Sequence, residues 1–195
     1  MPKVDMRKAD FVRCAQIETK MWRAYYNHHF IKPAFYLLVS MRTAFQCSWV
    51  SSARLAWYGG KAALIYRLQK GHENYPRILK NLVKFYKVGS DHSVEPFDYH
   101  KAAELELEWW DIHRYPEKYD KSLEQSIAEA AAVVYHCQPK DLREYASYRA
   151  QAAGMLTHES DKYPEKNDWP KIDDLLYKTW QSFSEAVRSP IKTRP

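Results

Sequence analysis

The chain is 195 residues long and 46% hydrophobic, enough for one well-buried domain, and its five glycines argue against an all-β fold. Its three cysteines, Cys14, Cys47 and Cys137, are odd in number, widely spaced and without a CxxC pair. That argues against a disulfide scaffold, a zinc knuckle or a thioredoxin-like motif and points to a reducing, cytoplasmic location. The net charge of +6 is uneven: residues 1–100 hold 16 Lys/Arg against 7 Asp/Glu (+9), and residues 101–195 hold 14 against 17 (−3). Such a division fits nucleic-acid contact, membrane-surface contact, self-association, or two differently charged solvated faces.

In chain order, the first ten residues lack the apolar core and small-residue cleavage site of a signal peptide. Apolar spacing then predicts a helix from about Arg7 to His29. Its polar arc holds Arg13, Gln16, Lys20 and Asn27, and the opposite stripe holds Phe11, Cys14, Glu18, Trp22 and Tyr25. Pro33 kinks or breaks this helix, because the residue before a proline is pushed out of the α region. A short helical piece follows to Phe45, and the longest apolar run, Ala34 to Val39, is too short to be a transmembrane segment.

The next helix covers Trp49 to Gln69. Its small-residue stripe of Ala53, Ala56, Gly60 and Ala63 allows close helix approach, within the monomer or in a homodimer. Asn74 and Pro76 start a helix reaching Lys87. Its Arg77, Lys80, Lys84 and Lys87 line one side beside Tyr75, Phe85 and Tyr86. That pattern suits phosphates and stacked bases, but such a stripe is more often the wet face of an amphipathic helix, so nucleic acid is the lesser expectation. Residues 89–96 read as a loop and the best internal boundary. A tryptophan-bearing helix follows from Asp98 to Arg114, stopped by Tyr115-Pro116. Helices from Ser122 to Cys137, Asp141 to about Ser160, and Asp168 to Arg188 complete the chain, with 189–195 as a flexible tail.

The expected fold is therefore all-α, a single-domain bundle of six or seven helices over residues 1–188. Its central four-helix core would comprise the first helix and those starting near Asp98, Ser122 and Asp141.

The tryptophan helix carries the sharpest question. At about 100° per residue, His100, Glu104, Glu108 and Asp111 share one arc, which reads as solvated. Glu106 and His113 instead fall between Trp109 and Trp110 on the aromatic side. Glu18 interrupts the apolar stripe of the first helix, and Arg149 interrupts that of the helix from Asp141. Inward ionisable groups need partners, because unpaired burial costs several kcal/mol.

Two readings follow. In one, Arg149 bridges Glu18 and Glu106, and His113 or Tyr25 takes a remaining hydrogen bond, so the charges are a structural network in an interaction or nucleic-acid-binding module. In the other, Glu18, Trp22, Tyr25, Glu106, Trp110, His113 and Arg149 line a site for a small-molecule ligand. Glu18, Glu106 and His113 would then hold a divalent metal such as iron or manganese. The Glu-x-x-His motif of carboxylate-bridged metal bundles does not occur in this sequence. His158 and Asp161 have a chelating i,i+3 spacing that is common by chance. Cys14, one turn before Glu18, reads as an inert buried thiol.

Overall fold

The computed structural model describes residues 3–29, 31–156 and 163–188. The 189–195 tail and the His158–Asp161 pair lie outside the described residues. Among the described residues there are eight α-helices and no β-strand, beyond one isolated bridge between Val4 and Ser93. They are α1 (Phe11–Tyr26), α2 (Ile31–Ala44), α3 (Trp49–Leu68), α4 (Tyr75–His92), α5 (Tyr99–Arg114), α6 (Leu123–Tyr135), α7 (Arg143–Gly154) and α8 (Trp169–Arg188).

Local chemistry sets most of these boundaries. Asp10, Ser48, Asp98 and Ser122 cap α1, α3, α5 and α6, each accepting from a backbone N–H of the first turn. Asp168 Oδ1 does the same for Lys171 N in α8. α1 stops at Tyr26, short of His29, because His28 takes a left-handed conformation at φ 56°. Pro33 lies in the first turn of α2, where a missing N–H costs nothing. The piece expected to be short is therefore a full helix, which raises the count above the expected six or seven.

Residues 89–92, expected as loop, continue α4. Gly89 is buried, and a Cβ there would meet the Phe45 ring at 2.6 Å. The glycine serves a close approach rather than a boundary. Ser90 Oγ then ties the end of α4 to α5's approach, donating to the Phe97 carbonyl and accepting from its N–H.

Each helix packs on the next in sequence, and α8 packs on α1, so the order closes on itself. The expected core of α1, α5, α6 and α7 is realised only in part. α5–α6 and α6–α7 do pack, but α1 lies chiefly against α2 and α8. One apolar cluster joins α3, α4 and α5 through Leu55, Ile78, Leu82 and Leu107. A second joins α1, α6, α7 and α8 through Phe11, Ile127, Ala146 and Phe183, and a third links α7 to α8 through Ala152, Ile172 and Leu176. α2 contributes no buried residue to any of them; of its 14 residues only Ser40 is buried.

Candidate functional site

α1 carries Glu18 inward on the face of Cys14 and Trp22. α7 meets it with Arg149, whose Nη1 and Nη2 donate to the two carboxylate oxygens at 3.2 and 2.9 Å. Trp180 Nε1 from α8 donates to Glu18 Oε2 at 2.5 Å, and the guanidinium carbon stands 5.7 Å from the Trp22 ring centre. Burial works against the Arg149 charge, but the Glu18 carboxylate more than reverses this and holds the guanidinium protonated beyond its usual range. Tyr25 belongs to a different contact, with Arg67 4.6 Å over its ring.

Arg149 is not the hydrogen-bond partner of Glu106, contrary to expectation. Glu106 takes donors from Tyr86 Oη at 2.9 Å, Trp109 Nε1 at 2.8 Å and Trp110 Nε1 at 3.1 Å. Both indoles sit one turn ahead on the same helix, at i+3 and i+4, where helical neighbours meet. Burial and the nearby carboxylate push the Tyr86 phenol well above its ordinary value. His113 Nε2 lies 2.8 Å from the Ala153 carbonyl of α7. A carbonyl only accepts, so that nitrogen carries the proton and is unavailable to a metal.

These contacts give the metal reading no support. Glu18, Glu106 and His113 each have a protein partner, and among the described residues no three His, Cys, Asp or Glu form a group that could hold an ion.

The third carboxylate was misplaced by helical phase. Asp111 is 1% exposed rather than solvated. Tyr75 donates to Oδ1 and Tyr119 to Oδ2, while Tyr66 Oη lies 3.5 Å from Oδ1. His72 Nε2 is 3.5 Å from Oδ2, and its ring stacks on Tyr75 at 4.4 Å. His100 and Glu104, on the same arc, are exposed as expected. The difference is position along the axis. Tyr66 near the end of α3, Tyr75 at the start of α4 and Tyr119 beyond the 3-10 turn Pro116–Lys118 all meet the last turn of α5. The sequence signal available was composition: 15 tyrosines and 7 tryptophans supply the donors for all three carboxylates.

Cys14 is fully buried, and burial, then Glu18 and Asp10, push its thiol up to about 12, so it is not a nucleophile at neutral pH. An open cleft of about 460 Å³ lies between α5 and α6, lined by Lys101, Glu108, Lys121, Glu129 and His136, none of them an expected site residue. Lys121 there bridges Glu108 and Glu129 at 2.9 Å each. Arg77, Lys80, Lys84 and Lys87 are all exposed on α4; Lys87 pairs with Asp91 at 3.0 Å, and Lys84 stands 5.6 Å from the Tyr58 ring of α3. The small-residue stripe is used in part within the chain: a Cβ at Gly60 would press on Leu37 of α2 at 3.2 Å. Among the described residues no helix is long and apolar enough to cross a membrane.

Compared with known proteins, the chain matches no family model, no curated protein and no solved structure.

Proposed function

We propose that this chain is a non-enzymatic docking module. Its inward charges hold the helices together, and its working surface is the outward face of α2 and α3. The observation that carries this reading is the exposure there of seven large apolar side chains: Ile31, Phe35, Trp49, Val50, Trp57, Leu64 and Leu68. A monomer in water rarely leaves so many large apolar side chains exposed on two adjacent helices without use. The engagement of Glu18, Glu106 and Asp111 by several protein donors each supports the same view, since groups committed to holding helices together are less available to a substrate. Three cysteines without disulfide partners fit a reducing, cytoplasmic setting.

The experiment is the double substitution Trp57→Glu with Leu64→Glu. Thermal unfolding should be unchanged within about 2 °C, as for most surface changes, while retention on a phenyl matrix should be lost. A large drop in Tm means these side chains pack within the chain, and the reading fails.

A small-molecule site at Glu18, Trp22, Tyr25, Glu106, Trp110, His113 and Arg149 has one observation in its favour: all of these except Glu18 are half-buried rather than sealed. Glu106→Gln tests it through ligand-dependent tryptophan emission.

A further inference from the structure

We propose that the exposed face of α2 and α3 binds the surface of an anionic lipid bilayer. This inference rests on the docking reading and names the partner.

α3 exposes large apolar side chains while burying two serines beside Leu55, Ala62 and Tyr66. The residues it turns into the protein include Ser51 and Ser52, both buried, with Ser52 Oγ donating to the Leu38 carbonyl of α2 and Ser51 Oγ within 2.9 Å of His92 Nε2. The residues it exposes include Val50, Trp57, Leu64 and Leu68, with Trp49, Ala53 and Arg54 exposed as well, and Trp57 and Leu68 are 66% and 73% exposed. The spacing of seven, seven and four from Val50 to Leu68 keeps those four apolar residues on one side of a helix. A four-residue turn returns the chain from α2, whose outward Ile31 and Phe35 are 84% and 58% exposed. Gly60 against Leu37 shows the two helices in close contact, so their outward residues form one face.

Charge selects the partner. From residue 19 to residue 72 the chain has no Asp or Glu and eight Lys or Arg, of which Lys32, Arg42, Arg54, Lys61 and Arg67 belong to α2 and α3. Arg42 stands 4.6 Å over Trp49, and Lys61 stands 5.8 Å from Trp57, which places cationic heads beside the exposed indoles. Lys84 over Tyr58 continues this border onto α4. Indoles with adjacent cations and flanking aliphatic side chains suit the headgroup boundary of a bilayer, where rings sit at the interface and basic heads meet phosphates. No described helix is apolar enough to span, so this face would lie on the bilayer rather than cross it.

Two other occupants fit less well. A single-stranded nucleic acid would use the rings and cations but leave Ile31, Val50, Leu64 and Leu68 in water. A second copy docked by two-fold symmetry would bring two acid-free cationic faces together.

The test is co-sedimentation of the full chain with vesicles of phosphatidylcholine, alone or with about 30 mol % phosphatidylglycerol. Binding to the anionic vesicles should be at least about tenfold tighter and should weaken at about 0.5 M NaCl. Dibromo-phosphatidylcholine in the same vesicles should quench tryptophan emission, a readout on the wild-type chain that needs no variant. Trp57→Glu with Leu64→Glu should lose at least about tenfold of the binding. Equal weak binding to both vesicle types, or no quenching, overturns the lipid assignment. So does binding to a single-stranded RNA oligonucleotide in preference to vesicles, or concentration-dependent dimerisation lost in the double variant. If the double variant folds and loses phenyl-matrix retention while the wild type ignores anionic vesicles, the docking reading stands and the lipid proposal fails. If the double variant unfolds, both fail.

Discussion

In α1, α5 and α7 ionisable side chains face inward, whereas in α2 and α3 large apolar side chains face outward. Both invert the usual rule, and they are resolved differently. Glu18, Glu106 and Asp111 find their donors on the same chain, from Arg149, indoles and phenols. These inward charges are therefore paired within the chain and serve stability. Ile31, Trp57 and Leu68 find no such cover among the described residues. Polarity inversion by itself does not mark a functional site; what matters is whether the molecule supplies the compensating partner.

The largest test of this contrast is alkaline pH. Tyr66, Tyr86, Tyr119, Tyr135 and Tyr145 all have phenols pushed above the ordinary 10.0, burial being the leading cause in each. Tyr119 and Tyr145 reach about 12. The folded state keeps these protons where the unfolded chain releases them. Their contribution is therefore intact below pH 10 and is lost as pH rises through the folded values. Circular dichroism and phenolate absorbance should change together above pH 10. Ordinary phenolate titration with the helices intact would show that these rings are not held as described.

Next comes the ion pair. Glu18→Ala should cost about 3–5 kcal/mol in urea unfolding at neutral pH, because it strands the Arg149 guanidinium. Replacing both residues by Met should recover most of that loss, since a well-packed apolar pair often replaces a buried ion pair without penalty. A single-variant cost below about 1 kcal/mol would place the pair among surface bridges instead.

Asp111→Ala should cost about 2–4 kcal/mol, by leaving the Tyr75 and Tyr119 hydroxyls without an acceptor. Asp111→Asn keeps an acceptor and should cost about half as much, measured by the same unfolding curve. If the two variants are equally stable, the tyrosine hydroxyls reach water instead.

Glu106→Gln should cost about 1–2 kcal/mol, because an amide oxygen can serve only part of the three donors. Trp109 and Trp110 emission should shift with it. The smallest effect belongs to the outer face: Trp57→Glu with Leu64→Glu should stay within about 0.5 kcal/mol of the parent. A cost comparable to Glu18→Ala would erase the distinction between the two regions.

Much of the fold is legible in one dimension because helix signals are local. The starts at Asp98 and Ser122 and the stop at Tyr115-Pro116 lie within a turn of the boundaries they set, whereas the first helix starts at Phe11 behind its Asp10 cap and not at Arg7. The inward phase of Glu18 and Arg149 follows from the period of the helix, and so does the need for a partner. The identity of each partner was decided by tertiary structure. Arg149 chose Glu18 alone because α1 and α7 place them together, while Glu106 drew on indoles of its own turn and Tyr86 from α4. Asp111 shares the arc of exposed His100 and Glu104, yet is buried by tyrosines that meet the last turn of α5. α4 runs on through Gly89 because Phe45, 44 residues earlier, needs the space of a missing side chain. Helical phase tells which way a side chain points; whether anything covers it depends on long-range packing, which a local pattern does not encode.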